Sequence, residues 1–192
     1  MAIARDIGEE AVLFCGLLYS DVGVSDVAIA AVADAFGAVA LRSGQFQWGY
    51  YQHYADELGV PIYRRFVVIE GLFDSGAIAD VKRRTNEIED SLREGGSISG
   101  RRRVNIDPGY ITLAKVVLAS TKNYSHRVYL RDGIYAEVTL IYNKGNGLYM
   151  PHLFTYHDYK EPATNDFLLQ SRDALNKAVK EKRGAAPPPP RP

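Results

Sequence analysis

His126 and Glu137 flank an Asp132-Gly133 pair. Aspartyl-glycine between two β-rich runs, HRVYL and IYAEVTLIYN, predicts a hairpin closed by a two-residue loop. Arg131 then faces Ile134, Leu130 faces Tyr135, Val128 faces Glu137 and His126 faces Thr139. On this register His126, Val128, Tyr135, Glu137 and Thr139 share one face, and Arg127, Tyr129, Ala136 and Val138 the other. His126 and Glu137 become diagonal neighbours at about 7 to 8 Å between backbones, a gap that side chains or one water can close. A carboxylate favours the charged form of a nearby imidazole, and general acid–base chemistry needs a group titrating near neutrality. The pair is therefore the candidate catalytic unit, and a solvated cross-strand ion pair without chemistry is its simpler alternative.

The segment before the hairpin, ASTKNYSHR, supplies hydroxyls at Ser120 and Thr121, an ammonium at Lys122 and a guanidinium at Arg127. Hydroxyls donate hydrogen bonds, lysine is a point charge, and arginine offers a planar fork to phosphate or carboxylate. With Arg103 of the preceding RRR run, Lys122 and Arg127 are the candidate anion holders. A merely polar loop before a strand is the competing reading.

Other strings fail as motifs. GGSISGRR spaces Gly95 and Gly100 like a phosphate loop, but Arg101 and Arg102 stand where lysine and Ser/Thr are needed, and a helix precedes it instead of a strand. TKNY at 121 to 124 and NKGN at 143 to 146 lack the aspartate that reads a guanine edge. His152 and His157 fall on opposite faces of a strand, and with one cysteine in the chain no metal site is expected. The motifs name no cofactor.

Composition narrows the rest. Lys+Arg of 23 against Asp+Glu of 23 gives formal neutrality, which disfavours nucleic acid held by bulk charge and leaves a small anionic ligand as the expected partner. Cys15 lies in the apolar run AVLFCGLLY, too short for a membrane span, and reads as a packing residue. A cytoplasmic protein without a membrane partner is expected.

The positioning elements follow from periodicity. Residues 11 to 19 are continuously apolar, as in a strand covered on both faces. A helix over 24 to 36 follows, capped by Ser25 and closed at Gly37. Strands are expected over AVALRSGQFQW and IYRRFVVIE, the latter with Arg64 and Phe66 on one face, and GYYQHYADELGVP reads as a connection. The helix over 76 to 93 has the clearest stripe, Ile78, Val81, Thr85, Ile88 and Leu92. RRRVNI adds a strand, giving β-α-β-β-α-β, the order of a ferredoxin-like two-layer sandwich, α+β in class. DPGY reads as a type II turn, TLAKVVLAS as a short helix, and a terminal helix over 164 to 182 follows the hairpin. Residues 1–182 form one expected domain and 183–192, ending in PPPPRP, an extended tail. Thirteen tyrosines suggest an alternative function, a non-catalytic RNA- or protein-binding module stacking partners on Tyr50, Tyr51, Tyr54, Tyr63, Tyr110, Tyr124, Tyr129, Tyr135 and Tyr142.

Five stretches carry a resemblance: YY at 50 to 51 with ELG at 57 to 59, RRF at 64 to 66, VKRRTNEIE at 81 to 89, the long run RRVNIDPGYITLAKVVLASTKNYSHRVYLRDGIYAEVTLIY at 102 to 142, and FTYHDYK at 154 to 160. In these the chain resembles the bacterial domain of unknown function 4416. The resemblance implies no established activity. It implies that Lys82, Thr85, Asn86, Glu89, Asn105, Asp107, Tyr110 and Lys115 join the candidates above, with Asn105, Asp107, Lys115 and Thr121 counted among ligand-binding residues. Ser120, Asn123, Phe154 and His157 depart from the family pattern, which has threonine, aspartate, tryptophan and proline there.

Overall fold

The computed structural model describes residues 10–50 and 52–185. It is an α+β structure of four α-helices and a ten-stranded sheet in which every described pairing is antiparallel. The strands are β1 (Glu10–Tyr19), β2 (Val39–Arg42), β3 (Phe46–Trp48), β4 (Ile62–Ile69), β5 (Phe73–Asp74), β6 (Val104–Ile111), β7 (Lys115–Ser120), β8 (Val128–Arg131), β9 (Ile134–Asn143) and β10 (Leu148–Pro151). The helices are α1 (Val22–Phe36), α2 (Gln52–Leu58), α3 (Ile78–Ser91) and α4 (Pro162–Ala185). The sheet runs β10-β9-β7-β6-β1-β4-β2, with β3 also on β4, β5 on β1 and β8 on β9.

Strand parity sorts the core. Leu13, Cys15, Leu17 and Tyr19 point to one face, where they meet Val24, Ala28, Ile29 and Val32 of α1 and Ile78, Val81 and Ile88 of α3. Val12 and Phe14 point to the other, with Phe66, Leu140, Tyr149 and the α4 residues Phe167, Leu168, Leu175 and Val179. Leu18, Trp48, Leu58 and Ile62 form a third cluster beneath α2. Helices therefore cover both faces of β1, as its continuous apolar run requires, and the two-layer expectation gives way to three layers. The GYYQHYADELGVP tract, read as a connection, contains α2.

Four local expectations change. Asp21, not Ser25, caps α1, accepting from the amides of Gly23 at 2.8 Å and Val24 at 3.4 Å, and Ser25 is buried one turn inside. TLAKVVLAS is strand β7, because its Val-Val-Leu-Ala run is buried between two neighbours, β6 and β9. The terminal helix runs on to Ala185, past the expected start of the tail, and the rest of the tail lies outside the described residues.

The fourth change shapes the site. DPGY is not a turn: Asp107, Pro108, Gly109 and Tyr110 pair in register with Gly16, Cys15, Phe14 and Leu13 of β1. A strand proline has no N–H to donate and belongs where a ladder stops. Pairing between β6 and β7 accordingly ends at Gly109 opposite Leu118, so Val104 to Pro108 form a free edge on that side. A side-chain carbon on Gly109 would lie 2.3 Å from the Val117 carbonyl oxygen and 2.6 Å from the Phe14 ring, so only glycine lets the two strands close immediately beyond the gap.

Candidate functional site

Where β6 and β7 part, side chains from both sides of the sheet share one cavity of about 180 Å³. A single water needs about 10–15 Å³ in the same measure, so the space suits a small organic molecule. Leu18, Trp48, Tyr54 and Leu118 form an apolar wall, and five cations and five carboxylates line the remainder.

Seven of those charges form an alternating chain. Glu57 meets Arg102 at 2.7 Å, Arg102 meets Glu89 at 3.4 Å, and Glu89 meets Lys82 at 3.9 Å. Lys82 meets Asp107 at 3.8 Å, Asp107 meets Arg64 at 3.6 Å, and Arg64 meets Asp158 at 2.6 Å. The two end pairs are tight, and the contacts of Lys82 and Asp107 in the centre are long. The α3 stripe explains how Lys82 and Glu89 arrive: both are buried on its inner face, where Lys82 donates to the Ile106 carbonyl at 2.9 Å and Glu89 accepts from the Ile106 amide at 2.7 Å. They hold the free edge of β6 in place of a strand. Burial raises the Glu89 carboxyl above the usual glutamate range, against the pull of Lys82 and Arg102.

Arg64 lies across β1 at Gly16, where a side-chain carbon would come within 2.9 Å of its Nη1 and 2.9 Å of the Phe66 ring. The absence of a side chain there lets the guanidinium reach toward Asp107. Burial opposes its charge, but Asp158, Tyr159 and Asp107 hold it firmly protonated. Its Nε and Nη1 have no hydrogen-bond partner, and neither has the buried Tyr159 hydroxyl beside it. Burial raises that phenol well above its ordinary value, so it stays a donor.

At the opposite wall every nitrogen of Arg127 has a partner. Its Nε donates to Glu137 at 2.7 Å, its Nη1 to Ser120 Oγ at 2.8 Å and the Lys122 carbonyl at 2.9 Å, and its Nη2 to the Tyr156 hydroxyl. Glu137 Oε2 also meets His126 Nε2 at 2.8 Å. The imidazole stacks on Phe154 with centroids 4.3 Å apart and planes 5° from parallel. Burial, with Glu137 close by, pushes the Tyr156 phenol up to about 12.

The expected His126–Glu137 contact exists, but on a shifted register. Asp132 and Gly133 both take positive φ, 53° and 74°, and Arg131 faces Ile134 as the two-residue loop requires. A bulge at Leu130 then pairs Tyr129 with Tyr135 and Val128 with Ala136. That slip carries Arg127, expected on the opposite face, onto Glu137, while His126 reaches it from the turn before β8.

Asn105, Asp107, Thr121, Lys122, Arg127 and Glu137 line the cavity as a group. Three candidates do not converge with them. His126 contacts Glu137 from outside the lining. Arg103, just before β6, is on the surface and paired with Asp21 at 3.1 Å, and its neighbour Arg102 is the member of the arginine run that lines the cavity. Lys115 starts β7, opposite Ile141 at the far end of the strand. The sequence reading overlooked Arg64, Arg102, Tyr156 and Asp158 as site residues. Parity offered the signal for Arg64, a charge sharing a strand face with Phe66. Of the tyrosines, Tyr63 and Tyr110 pack toward α1 and α3, Tyr142 toward α4 and Tyr54 toward Trp48, Tyr129 meets Tyr135 edge to face on the hairpin, and Tyr51 lies outside the described residues. Among the described residues no helix is long and apolar enough to cross a membrane, and no group of three or more His, Cys, Asp or Glu is placed to hold a metal.

Among curated proteins and solved structures, none is detectably similar to this chain. One family profile does match, over residues 9–174, a span that contains β1, the whole free edge of β6, the hairpin and most of α4. With the cavity and its charged chain inside that span, the protein belongs to the family described as a domain of unknown function (DUF4416).

Proposed function

We propose that the cavity binds a small phosphate- or carboxylate-bearing ligand such as a nucleotide. One observation carries this reading: Arg64, only 4% exposed, lines the cavity and has two nitrogens, Nε and Nη1, without a hydrogen-bond acceptor. A buried donor left unpaired costs about 1–3 kcal/mol, and a ligand oxygen removes that penalty. Lys122 supports it as a further cation of the lining, with no ion pair among the described residues. The Arg127–Glu137–His126 cluster is bonded internally and to the loop of Ser120 and Lys122 and is read as the wall that sets that loop, so binding is favoured over acid–base chemistry. The scattered tyrosines give the RNA- or protein-platform reading no comparable support.

The elements β1, α1, β2, β4, α3 and β6 support a ferredoxin-like reading of the scaffold: β6-β1-β4-β2 is the order of that motif's strands, and α1 and α3 share one face. β7, β9 and β10 then extend the β6 edge, and the free edge lies where extension and motif meet. A cytoplasmic setting is part of the same proposal, supported by the buried, unpaired Cys15.

A thermal-shift series with inorganic phosphate, adenosine monophosphate and small carboxylates tests the reading, since a ligand of the folded state raises its stability by mass action. A concentration-dependent rise in Tm is expected, absent in Arg64→Lys. No rise with any anion, or an equal rise in the variant, overturns it.

A further inference from the structure

The lining says more about the ligand than that it is acidic. Five cations are matched by five carboxylates, and each carboxylate already has a cationic partner: Glu57 and Glu89 on Arg102, Asp107 on Lys82, Glu137 on Arg127, and Asp158 on Arg64. A di- or triphosphate would bring several negative charges into a space with no surplus positive charge. Buried charge without compensation is strongly unfavourable. Most of the unused donor capacity gathers at one corner, Arg64 Nε and Nη1 with the Tyr159 hydroxyl, enough for a single acidic group, while Arg102 contributes only its Nε.

Beside that corner stands the apolar wall. Trp48 and Tyr54 meet edge to face, with centroids 5.2 Å apart, and Leu18, cross-strand from Arg64, completes a surface for a flat ring. At about 10–15 Å³ per water, the cavity of about 180 Å³ holds an aromatic acid of a dozen or so heavy atoms. Resting on the anion reading above, we infer that the ligand is an aromatic acid with a single acidic group, a carboxylate or a phosphomonoester on Arg64 and Tyr159, and its ring on Trp48 and Tyr54.

Trp48 is the single tryptophan of the chain and is itself part of the wall, so its emission on excitation at 295 nm reports occupancy directly. The full chain is titrated with phenyl phosphate, 3-phenylpropionate, inorganic phosphate, acetate, benzyl alcohol and ATP. Phenyl phosphate or 3-phenylpropionate is expected to change Trp48 emission and to bind at least tenfold tighter than the ring-free anions, the neutral alcohol or ATP. Arg64→Lys and Tyr54→Leu each weaken that binding tenfold or more, with circular dichroism confirming that both variants are folded. Equal affinity for inorganic phosphate and phenyl phosphate, lost in Arg64→Lys, removes the ring while leaving the anion reading intact. Tighter binding of ATP likewise overturns the argument for a single acidic group. Silence of both aromatic acids, or preference for benzyl alcohol, overturns the inference, and in the latter case the anion reading as well.

Discussion

Arg127 and Arg64 line the same cavity, are each more than nine-tenths buried, and differ in how their donors are used. Arg127 makes four hydrogen bonds, to a carboxylate, a hydroxyl, a backbone carbonyl and a phenol. Arg64 keeps an ion pair with Asp158 and a longer one with Asp107, and leaves Nε and Nη1 without acceptors. A guanidinium with every nitrogen bonded holds structure together and has little left for a ligand. An unsaturated one, fixed in place by neighbours, is a receptor whose desolvation has already occurred in folding. Residue type and burial do not separate the two roles, and counting donors does.

Exchange for lysine is the strongest way to break the comparison. Arg127→Lys keeps a charge beside Glu137 but removes the fork that reaches Ser120, Lys122 and Tyr156. At about 0.5–1.5 kcal/mol for each of three lost bonds, destabilisation of about 2–4 kcal/mol is expected. That is a fall in Tm of roughly 5–15 °C for a protein of this size, read by calorimetry. A second change acts on the Arg64 side without touching the arginine. In Gly16→Ala the new carbon meets Nη1 and the Phe66 ring at 2.9 Å, and overpacking of this kind costs about 1–3 kcal/mol. Because part of the clash is with the guanidinium, the double variant Gly16→Ala/Arg64→Lys recovers some of the loss, and strict additivity of the two Tm changes would refute the contact.

Arg64→Lys alone is expected to be milder. The Asp158 pair survives in a lysine, and the two nitrogens that disappear make no hydrogen bond, only the long ion pair of Nη1 with Asp107, so the change stays within about 1 kcal/mol by the same accounting of hydrogen bonds. A Tm loss as large as that of Arg127→Lys would erase the distinction between the two sites.

How much of this was legible in the sequence depends on range. The Asp132-Gly133 hairpin, the α3 stripe and the buried β1 were readable because turn chemistry and periodicity act over a few residues. The Leu130 bulge was not, and that single extra residue moved Arg127 from the far face to Glu137. The DPGY strand was misread for a related reason: proline and glycine signal a turn locally, yet here they mark where one ladder ends and where two backbones close up, facts set by β1 and β7. Arg64 was visible by parity but had no value as a site until Gly16, Asp107 and Asp158 were brought around it by strands far apart in the chain.

The smallest effect tests whether the chain of charges between the two arginines is tuned for folding or tolerated. Glu89 sits mid-chain with its folded pKa raised, chiefly by burial. The folded state therefore holds its proton more tightly than the unfolded one, and the resulting stability is complete below the ordinary glutamate value and is lost as pH rises through the folded pKa. Glu89→Gln still offers an oxygen to the Ile106 amide and has no proton to lose. Its Tm relative to the parent protein should climb as pH is raised from about 4 toward neutrality, the range set by an ordinary glutamate and its upward shift. A difference that falls over the same interval would mean that Lys82 and Arg102 outweigh burial, and that the centre of the cavity is stabilised by its ion pairs in the absence of any ligand.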